Sequence, residues 1–252
     1  MIKAIVTDLD RTLLRKDKSI SAYSADVLKL CREQGILLMA ASARPLRDVE
    51  AYRAMINFDA VTAANGAVIS LPDRKITYIL ARESGEKILQ GLMRFPDIFL
   101  SVETSRGLYS NRDIPAWQPV VYKDFPRLPE GAALYKILAS SKERELYAGI
   151  SEVLTEDAYY TIADGTLIQI MSREATKWNG VQQMLAHFDI AAESAIYFGD
   201  DQDDLQPIQK CGLGVAVANA IPAVLQAADE ITAGHEEDGV ARYISKYVLL
   251  EK

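Results

Sequence analysis

Histidine is nearly missing from this chain: His187 and His235 are the two among 252 residues. His187 follows an amphipathic run and His235 sits in a polar stretch. Structural or surface roles fit both better than a histidine-based catalytic or metal centre. Cysteine is as scarce. Cys31 and Cys211 stand alone, with no CxxC pair and no Cys/His cluster, which argues against a zinc module or a disulfide framework and leaves two reduced, buried thiols. No segment is strongly basic and the formal net charge is −7, so a nucleic-acid polyanion is not an expected partner. The longest apolar runs, such as 36–41, fall far short of a membrane span. The opening MIKAIVTDLD has neither the long apolar stretch nor the small-residue cleavage site of a signal peptide. The expectation is a cytoplasmic protein without a membrane partner, whose chemistry runs on carboxylates. A composition 49% hydrophobic and 25% charged is that of an ordinary globular chain, and its length suits a core plus an insertion.

The apolar pattern predicts alternating strands and helices at both ends. Residues 2–7 read as a buried strand ending at Asp8. A helix over 22–34 stops at Gly35, and a strand over 36–41 ends at Ser42. Pro45 suits the first turn of the next helix, and a strand over 60–64 ends at Asn65-Gly66. The C-terminal third repeats the theme. Helices are expected over 178–188, 205–210, 222–228 and 239–248. Strands are expected over 195–198, ending at Gly199-Asp200, over 213–218, ending at Asn219, and over 230–232. The middle, from about 79 to 171, alternates more and carries more Tyr, Pro and charge. It predicts helices at 83–94 and 142–154, a strand at 133–139, and hairpins at 98–103/108–110 and 158–162/167–170, the latter around Asp164-Gly165. The fold class is therefore α/β: a doubly wound, mainly parallel Rossmann-like core sheet from residues 1–79 and 172–252, with an inserted α+β cap domain at 80–171.

Ligands of an open parallel sheet bind beyond the carboxyl ends of its strands. Those ends carry Asp8, Ser42, Asn65, Asp200 and Asn219. Acidic residues gather at two of them, in Asp8-Leu9-Asp10-Arg11-Thr12 and in Gly199-Asp200-Asp201-Gln202-Asp203-Asp204. Two such clusters repel each other unless a cation joins them, and a hard, oxygen-liganded Mg2+ is the natural candidate. A spacing of two sets the Asp8 and Asp10 carboxylates on one side of an extended segment, where one can act as nucleophile and the other as general acid/base. Blander readings stand beside these. Asp8 and Asp10 could be solvated in a surface turn, and Ser42 could cap the helix near Pro45. Lys177 could be a solvated lysine at a helix start, Asn65-Gly66 a tight turn, Asn219 a helix cap, and Asp201 an exposed structural residue.

The stretches 8–14, 41–45 and 65–67, the isolated Lys177, and 198–204 resemble, in order, the motifs of the haloacid dehalogenase superfamily. The long insertion between Asn65 and Lys177 resembles the C2-type cap of its Cof-like sugar-phosphatase branch. The resemblance covers essentially the whole chain. It implies that Asp8 is the nucleophile and a metal ligand, forming an aspartyl-phosphate. It implies that Asp10 is the general acid/base and that its backbone carbonyl binds Mg2+, with Asp200 completing the metal shell. Ser42 and the amides of Ala43 and Leu9 would hold phosphoryl oxygens, Lys177 would neutralise phosphate and nucleophile, and Thr12 would hold the loop. Three positions depart from the family pattern. Arg11 and Ala43 stand where glycine is usual, and Asp203, at a phosphate-binding position, stands where asparagine is usual. An ionised Asp cannot donate a hydrogen bond to phosphate. The cap would close over the site, with Tyr109, Trp117, Tyr122 and Tyr135 as candidate lining residues.

The implied activity is Mg2+-dependent hydrolysis of a small phosphorylated metabolite such as a sugar phosphate, by a monomer or homodimer. A phosphomutase or other phosphotransferase on the same core stays open, as does a non-catalytic phosphate-binding module. A haloalkanoate dehalogenase fits less well, because the acidic cluster at Asp200 has no purpose there.

Overall fold

The computed structural model describes residues 2–142, 144–163 and 165–249. Glu143, inside the expected helix 142–154, and Asp164, at an expected hairpin turn, lie outside them. In chain order the elements are β1 (Ala4–Thr7), α1 (Ala22–Glu33), β2 (Leu37–Ala41), α2 (Leu46–Ile56), β3 (Ala60–Ala63), β4 (Val68–Ser70) and β5 (Lys75–Thr77). The middle then supplies α3 (Arg82–Leu92), β6 (Phe99–Thr104), β7 (Gly107–Ser110), β8 (Val120–Val121), β9 (Leu134–Ser140), α4 (Arg144–Val153), β10 (Ala158–Ala163) and β11 (Leu167–Ser172). The chain ends with α5 (Lys177–His187), β12 (Ala195–Gly199), α6 (Leu205–Lys210), β13 (Leu213–Val217), α7 (Pro222–Ala227), β14 (Glu230–Thr232) and α8 (Gly239–Tyr247). These fall into two units, Met1–Thr77 with Thr176–Lys252, and Tyr78–Ala175.

The first unit is an eight-stranded sheet in the order β14-β13-β12-β1-β2-β3-β4-β5. Six strands, from β14 to β3, run parallel. β1, β2 and β12 are short apolar runs buried almost throughout, as strands covered on both faces must be. β1 pairs with β12 on one side and β2 on the other, Thr7 standing opposite Phe198 and Ala40. The chain winds away from β1 in both directions, so the β1/β12 boundary is the switch point where such sheets open a crevice. The unit also holds two strands that the apolar pattern does not reveal. After Gly66 the chain turns back, and β4 and β5 extend the sheet antiparallel. Each is three residues long, too short for an alternation to register. The turn itself needs Gly66: its φ is +105° and an added Cβ would lie 2.1 Å from the carbonyl oxygen of Thr176.

The second unit is a six-stranded sheet in the order β10-β11-β9-β6-β7-β8. Its strands pair antiparallel except β7 with β8. Ile88, Leu89 and Leu92 of α3, with Leu146, Ile150 and Val153 of α4, pack in one apolar cluster with Val102, Ile137 and Ile170 of the strands. Tyr109 and Tyr122 pack against that cluster and stack edge-on with each other, so their rings serve packing within this unit. The two-residue β8 lies outside the elements expected from the sequence. Among the described residues, no helix is long and apolar enough to cross a membrane.

Candidate active site

Asp8 follows the last residue of β1, and its backbone N–H donates to the Phe198 carbonyl on the neighbouring strand at 2.9 Å. That pairing brings the ends of β1 and β12, and with them Asp8 and Asp200, side by side. Beyond Asp8 the chain tightens: Leu9 is fully buried and its carbonyl accepts from the Leu14 N–H at 2.8 Å. The Thr12 hydroxyl donates to Asp200 Oδ1 at 2.8 Å, so it ties the first acidic loop to the second.

Lys177 opens α5, whose preceding Thr176 hydroxyl accepts the Asn179 N–H. This N-cap fixes where the helix starts and hence where the lysine emerges. Lys177 is 4% exposed, so it is no solvated surface lysine. Its Nζ donates to Asp8 Oδ1 and to Asp204 Oδ1, each at 2.7 Å. Burial alone would lower the ammonium pKa, but the charges of Asp204, Asp8 and Asp203 outweigh it and hold Lys177 well above its ordinary value. Burial pushes the Asp8 carboxyl well up; Lys177 pulls it down, and Asp204 and Asp200 push it up again. Asp200 is raised to about 7 by burial and then by Asp204, against the Thr12 hydrogen bond and Lys177.

Asp204 is the member of the buried cluster that sequence reading misses. It is fully buried and accepts four donors: Lys177 Nζ at 2.7 Å, Tyr197 Oη at 2.6 Å, and the N–H groups of Asp200 and Asp201 at 3.0 Å each. It forms a capping box with Asp201, and the Asp-x-x-Asp spacing 201–204 was the available signal. Asp201 is accordingly half-buried, not exposed. Gly199 makes room for Asp204, since a Cβ there would stand 2.5 Å from the Asp204 Cβ.

Ligand oxygens of Asp8, Asp200 and Asp204 lie within 4.8 Å of one another. Burial first, and then the neighbouring acids, raise the Asp8 and Asp200 carboxyls, and a divalent cation relieves the repulsion part of that cost. The cluster therefore fits a hard metal ion. With its acceptor sites taken by four donors, Asp204 is the least available of the three, which leaves the Asp8 and Asp200 carboxylates.

Asp10 sits apart from this cluster. Arg44 donates to it from Nε at 2.5 Å and from Nη2 at 2.7 Å, and Lys18 Nζ donates to its Oδ1 at 2.7 Å. Burial alone would raise the Asp10 carboxyl, but these hydrogen bonds and charges outweigh it and hold it below the usual range. Ser42 does not cap α2, whose N-cap position is Pro45 without a side-chain bond; its Oγ accepts the Arg44 N–H at 3.1 Å. Ala43 lies between them, half-buried. The Asn65 N–H donates to the Ser42 carbonyl at 3.1 Å, and the Asn65 side-chain amide donates to Asp203 Oδ2. Asp203 is thus bonded across the site to the β3 end. Asn219 does not cap α7, whose N-cap position is Ile221 without a side-chain bond: its Nδ2 donates to the Arg11 carbonyl at 2.8 Å and its Oδ1 accepts the His235 N–H at 2.9 Å.

Comparison with known proteins identifies the family. A family model described as haloacid dehalogenase-like hydrolase matches residues 5–244. YxeH of Bacillus subtilis (strain 168) is 28% identical over 99% of both chains. The 5-amino-6-(5-phospho-D-ribitylamino)uracil phosphatase YitU of the same organism is 28% identical over 98% of this chain and 97% of its own. Among solved structures, a haloacid dehalogenase-like hydrolase from B. subtilis superposes with a TM-score of 0.87 at 22% identity, over 98% of this chain and 100% of that one. Another from Bacteroides thetaiotaomicron gives 0.84 at 24% identity, over 98% and 99%. The chain belongs to the haloacid dehalogenase-like hydrolases, in their Cof-like phosphatase branch.

Proposed function

We propose that the protein is a Mg2+-dependent phosphomonoesterase that forms an aspartyl-phosphate on Asp8 and acts on a small phosphorylated metabolite. The observation that carries this reading is the Lys177 ammonium, held 2.7 Å from Asp8 Oδ1 inside a buried carboxylate cluster. A structural ion pair has no need of two further buried acids, Asp200 and Asp204, beside it; a site for a metal and a dianionic phosphoryl group does.

The Asp8 and Asp200 carboxylates, with the Asp10 carbonyl that the family resemblance adds, would hold the cation. Bound there, it supplies positive charge against the phosphoryl oxygens and keeps the carboxylates ionised. The chain's own residues account for the rest. Lys177 neutralises the developing charge on the nucleophile side, and Asp204 fixes Lys177 by anchoring it to Tyr197 and the Asp200 loop. Asp8 attacks phosphorus; its Oδ–P bond forms as the ester P–O bond breaks. Asp10 gives its proton to the departing alcohol oxygen, then takes one from the water that attacks the aspartyl-phosphate. Little else is required, since phosphoryl transfer depends mainly on positioning and charge. Ser42 and the amides of Leu9 and Ala43 are proposed to hold the phosphoryl oxygens. Asp203, bonded to Asn65, is proposed to orient that side of the pocket as an acceptor rather than to donate to phosphate. The unit Tyr78–Ala175 is proposed to supply substrate selection as a cap.

The relative YitU is named for a phosphorylated ribityl compound, so phosphorylated polyols belong in the first metabolite panel. The basic test is p-nitrophenyl phosphate hydrolysis with Mg2+, with EDTA, and with Asp8→Asn. Turnover that needs the metal and disappears in the variant is expected. Turnover that survives Asp8→Asn contradicts the assignment.

A further inference from the structure

The second unit carries a cavity of about 500 Å3 beside the C-terminal end of α3. Small-molecule sites occupy roughly 300–1,000 Å3. Every residue that lines it belongs to Tyr78–Ala175, so it shares none with the phosphoryl site. Its apolar wall is largely aromatic. The rings of Tyr122 and Phe125 meet edge-on with centroids 5.2 Å apart, and Phe95 lines the cavity with the buried Ile98 and Leu100.

The loop that follows α3 is tied down on the far side of the cavity wall. Asp97 sits in the left-handed region at a φ of +50°, and Arg112 Nη2 donates to the carbonyls of Asp97 and Ile98. Asn111 is engaged at both ends of its amide: its Oδ1 accepts the Leu100 N–H at 3.0 Å and its Nδ2 donates to the Ile98 carbonyl at 2.9 Å. The wall is therefore preorganised, and a ligand need order little of it.

Two charged side chains are left on the lining, Asp97 and Lys123, both exposed. Among the described residues neither the Asp97 carboxylate nor the Lys123 ammonium has a hydrogen bond or an ion pair, and the two do not pair with each other. A purely anionic ligand would meet Asp97 as a like charge, and a purely cationic one would meet Lys123. A ligand with one charge of each sign meets neither penalty and can use both groups.

We infer that this cavity binds a free amino acid with an aromatic side chain, its ring against Phe95, Tyr122 and Phe125, its carboxylate on Lys123 and its ammonium on Asp97. Edge-on and offset ring contacts add to the burial of the side chain, and both polar contacts are charge-assisted hydrogen bonds. The inference does not depend on the phosphatase reading.

Isothermal titration calorimetry on the full chain tests it. L-Phenylalanine and L-tryptophan carry the ring and both charges. 3-Phenylpropionate lacks the ammonium, 2-phenylethylamine lacks the carboxylate, and L-alanine lacks the ring. One aromatic amino acid should bind per chain, at least about tenfold tighter than any of the three incomplete ligands, the scale of one charge-assisted hydrogen bond. Lys123→Gln should bring L-phenylalanine down to the level of 2-phenylethylamine, and Asp97→Asn to that of 3-phenylpropionate. Asparagine tolerates the left-handed φ at residue 97 and Lys123 is exposed, so both variants should melt as the wild type does, which separates lost binding from lost folding. Asp8→Asn should bind the amino acid unchanged. No saturable binding of either aromatic amino acid, binding no tighter than that of the incomplete ligands, or binding that both charge variants leave intact overturns the inference. Loss of binding in Asp8→Asn overturns it as well, because it would move the amino acid to the phosphoryl site.

Discussion

Arg44 grips Asp10 through two nitrogens, Nε at 2.5 Å and Nη2 at 2.7 Å. The residue proposed to carry a proton is thus held as a carboxylate. An acid must have the proton before it can give it, so Asp10 has to let go of Arg44 before the leaving oxygen can be protonated.

The pair has a stability signature of definite sign. Asp10 is depressed below its ordinary range, so its contribution is present above the unfolded carboxylate pKa and is lost as pH falls through the folded one. The Asp10 side chain is 34% exposed, and screening reduces the worth of the pair to about 1 kcal/mol. Arg44→Met should lower stability by that amount at neutral pH, and the difference should shrink as the buffer is acidified toward the folded Asp10 value. Urea unfolding of both proteins at neutral and acid pH measures it. A deficit independent of pH would mean that Arg44 acts through packing alone.

Asp200 has the opposite sign. Its folded pKa is raised to about 7, above an unfolded value near 4. The metal-free fold binds the extra proton in that window, so this term loses stability as pH rises across it. Mg2+ needs the ionised carboxylate. The rise in melting temperature on adding Mg2+ should therefore be small near pH 5 and should grow to about pH 8. In Asp200→Asn it should be largely abolished. A Mg2+ effect flat with pH in the wild type would remove Asp200 from the metal site.

Lys177 holds two buried carboxylates at once. Lys177→Met strands them, and breaking a buried pair from one side costs about 3–5 kcal/mol. The cost should be smaller at mildly acid pH, where the released Asp8 carboxyl, already raised by burial, can take up a proton. Activity should fall by at least about a thousandfold, because positioning and charge neutralisation supply most of the rate. Thermal melts and p-nitrophenyl phosphate turnover check both halves; a stable, active Lys177→Met protein would refute the role.

Gly199→Ala tests the packing behind the site. The new Cβ would stand 2.5 Å from the Asp204 Cβ, and overpacking of this kind costs about 1–3 kcal/mol. The displaced Asp204 should release Lys177, so activity should fall further than stability. Unchanged turnover would show that Asp204 is not needed to position Lys177.

The division between what sequence reading reaches and what it does not is itself physical. Asp8 and Asp200 are legible because buried parallel strands are unbroken apolar runs, and the first polar residue after each marks its carboxyl end. Lys177 is legible only through the motif order, since nothing local separates it from a solvated lysine. Asp204 escapes because its role is set by four donors gathered in three dimensions, two of them backbone amides of its own loop. The Arg44–Asp10 pair joins residues 34 positions apart and leaves no periodic trace. β4, β5 and β8 escape because strands of two or three residues carry no alternation, and their pairing is decided by the turns that precede them.

The central claim is that Asp8 carries the phosphoryl group. Rapid acid quenching of the Mg2+-loaded enzyme during turnover, followed by peptide mass spectrometry, tests it most directly. The account predicts one added phosphoryl mass on the peptide containing Asp8, removed by hydroxylamine as an acyl phosphate must be, and absent from Asp8→Asn. A phosphoryl group trapped on any other residue while turnover proceeds would contradict it.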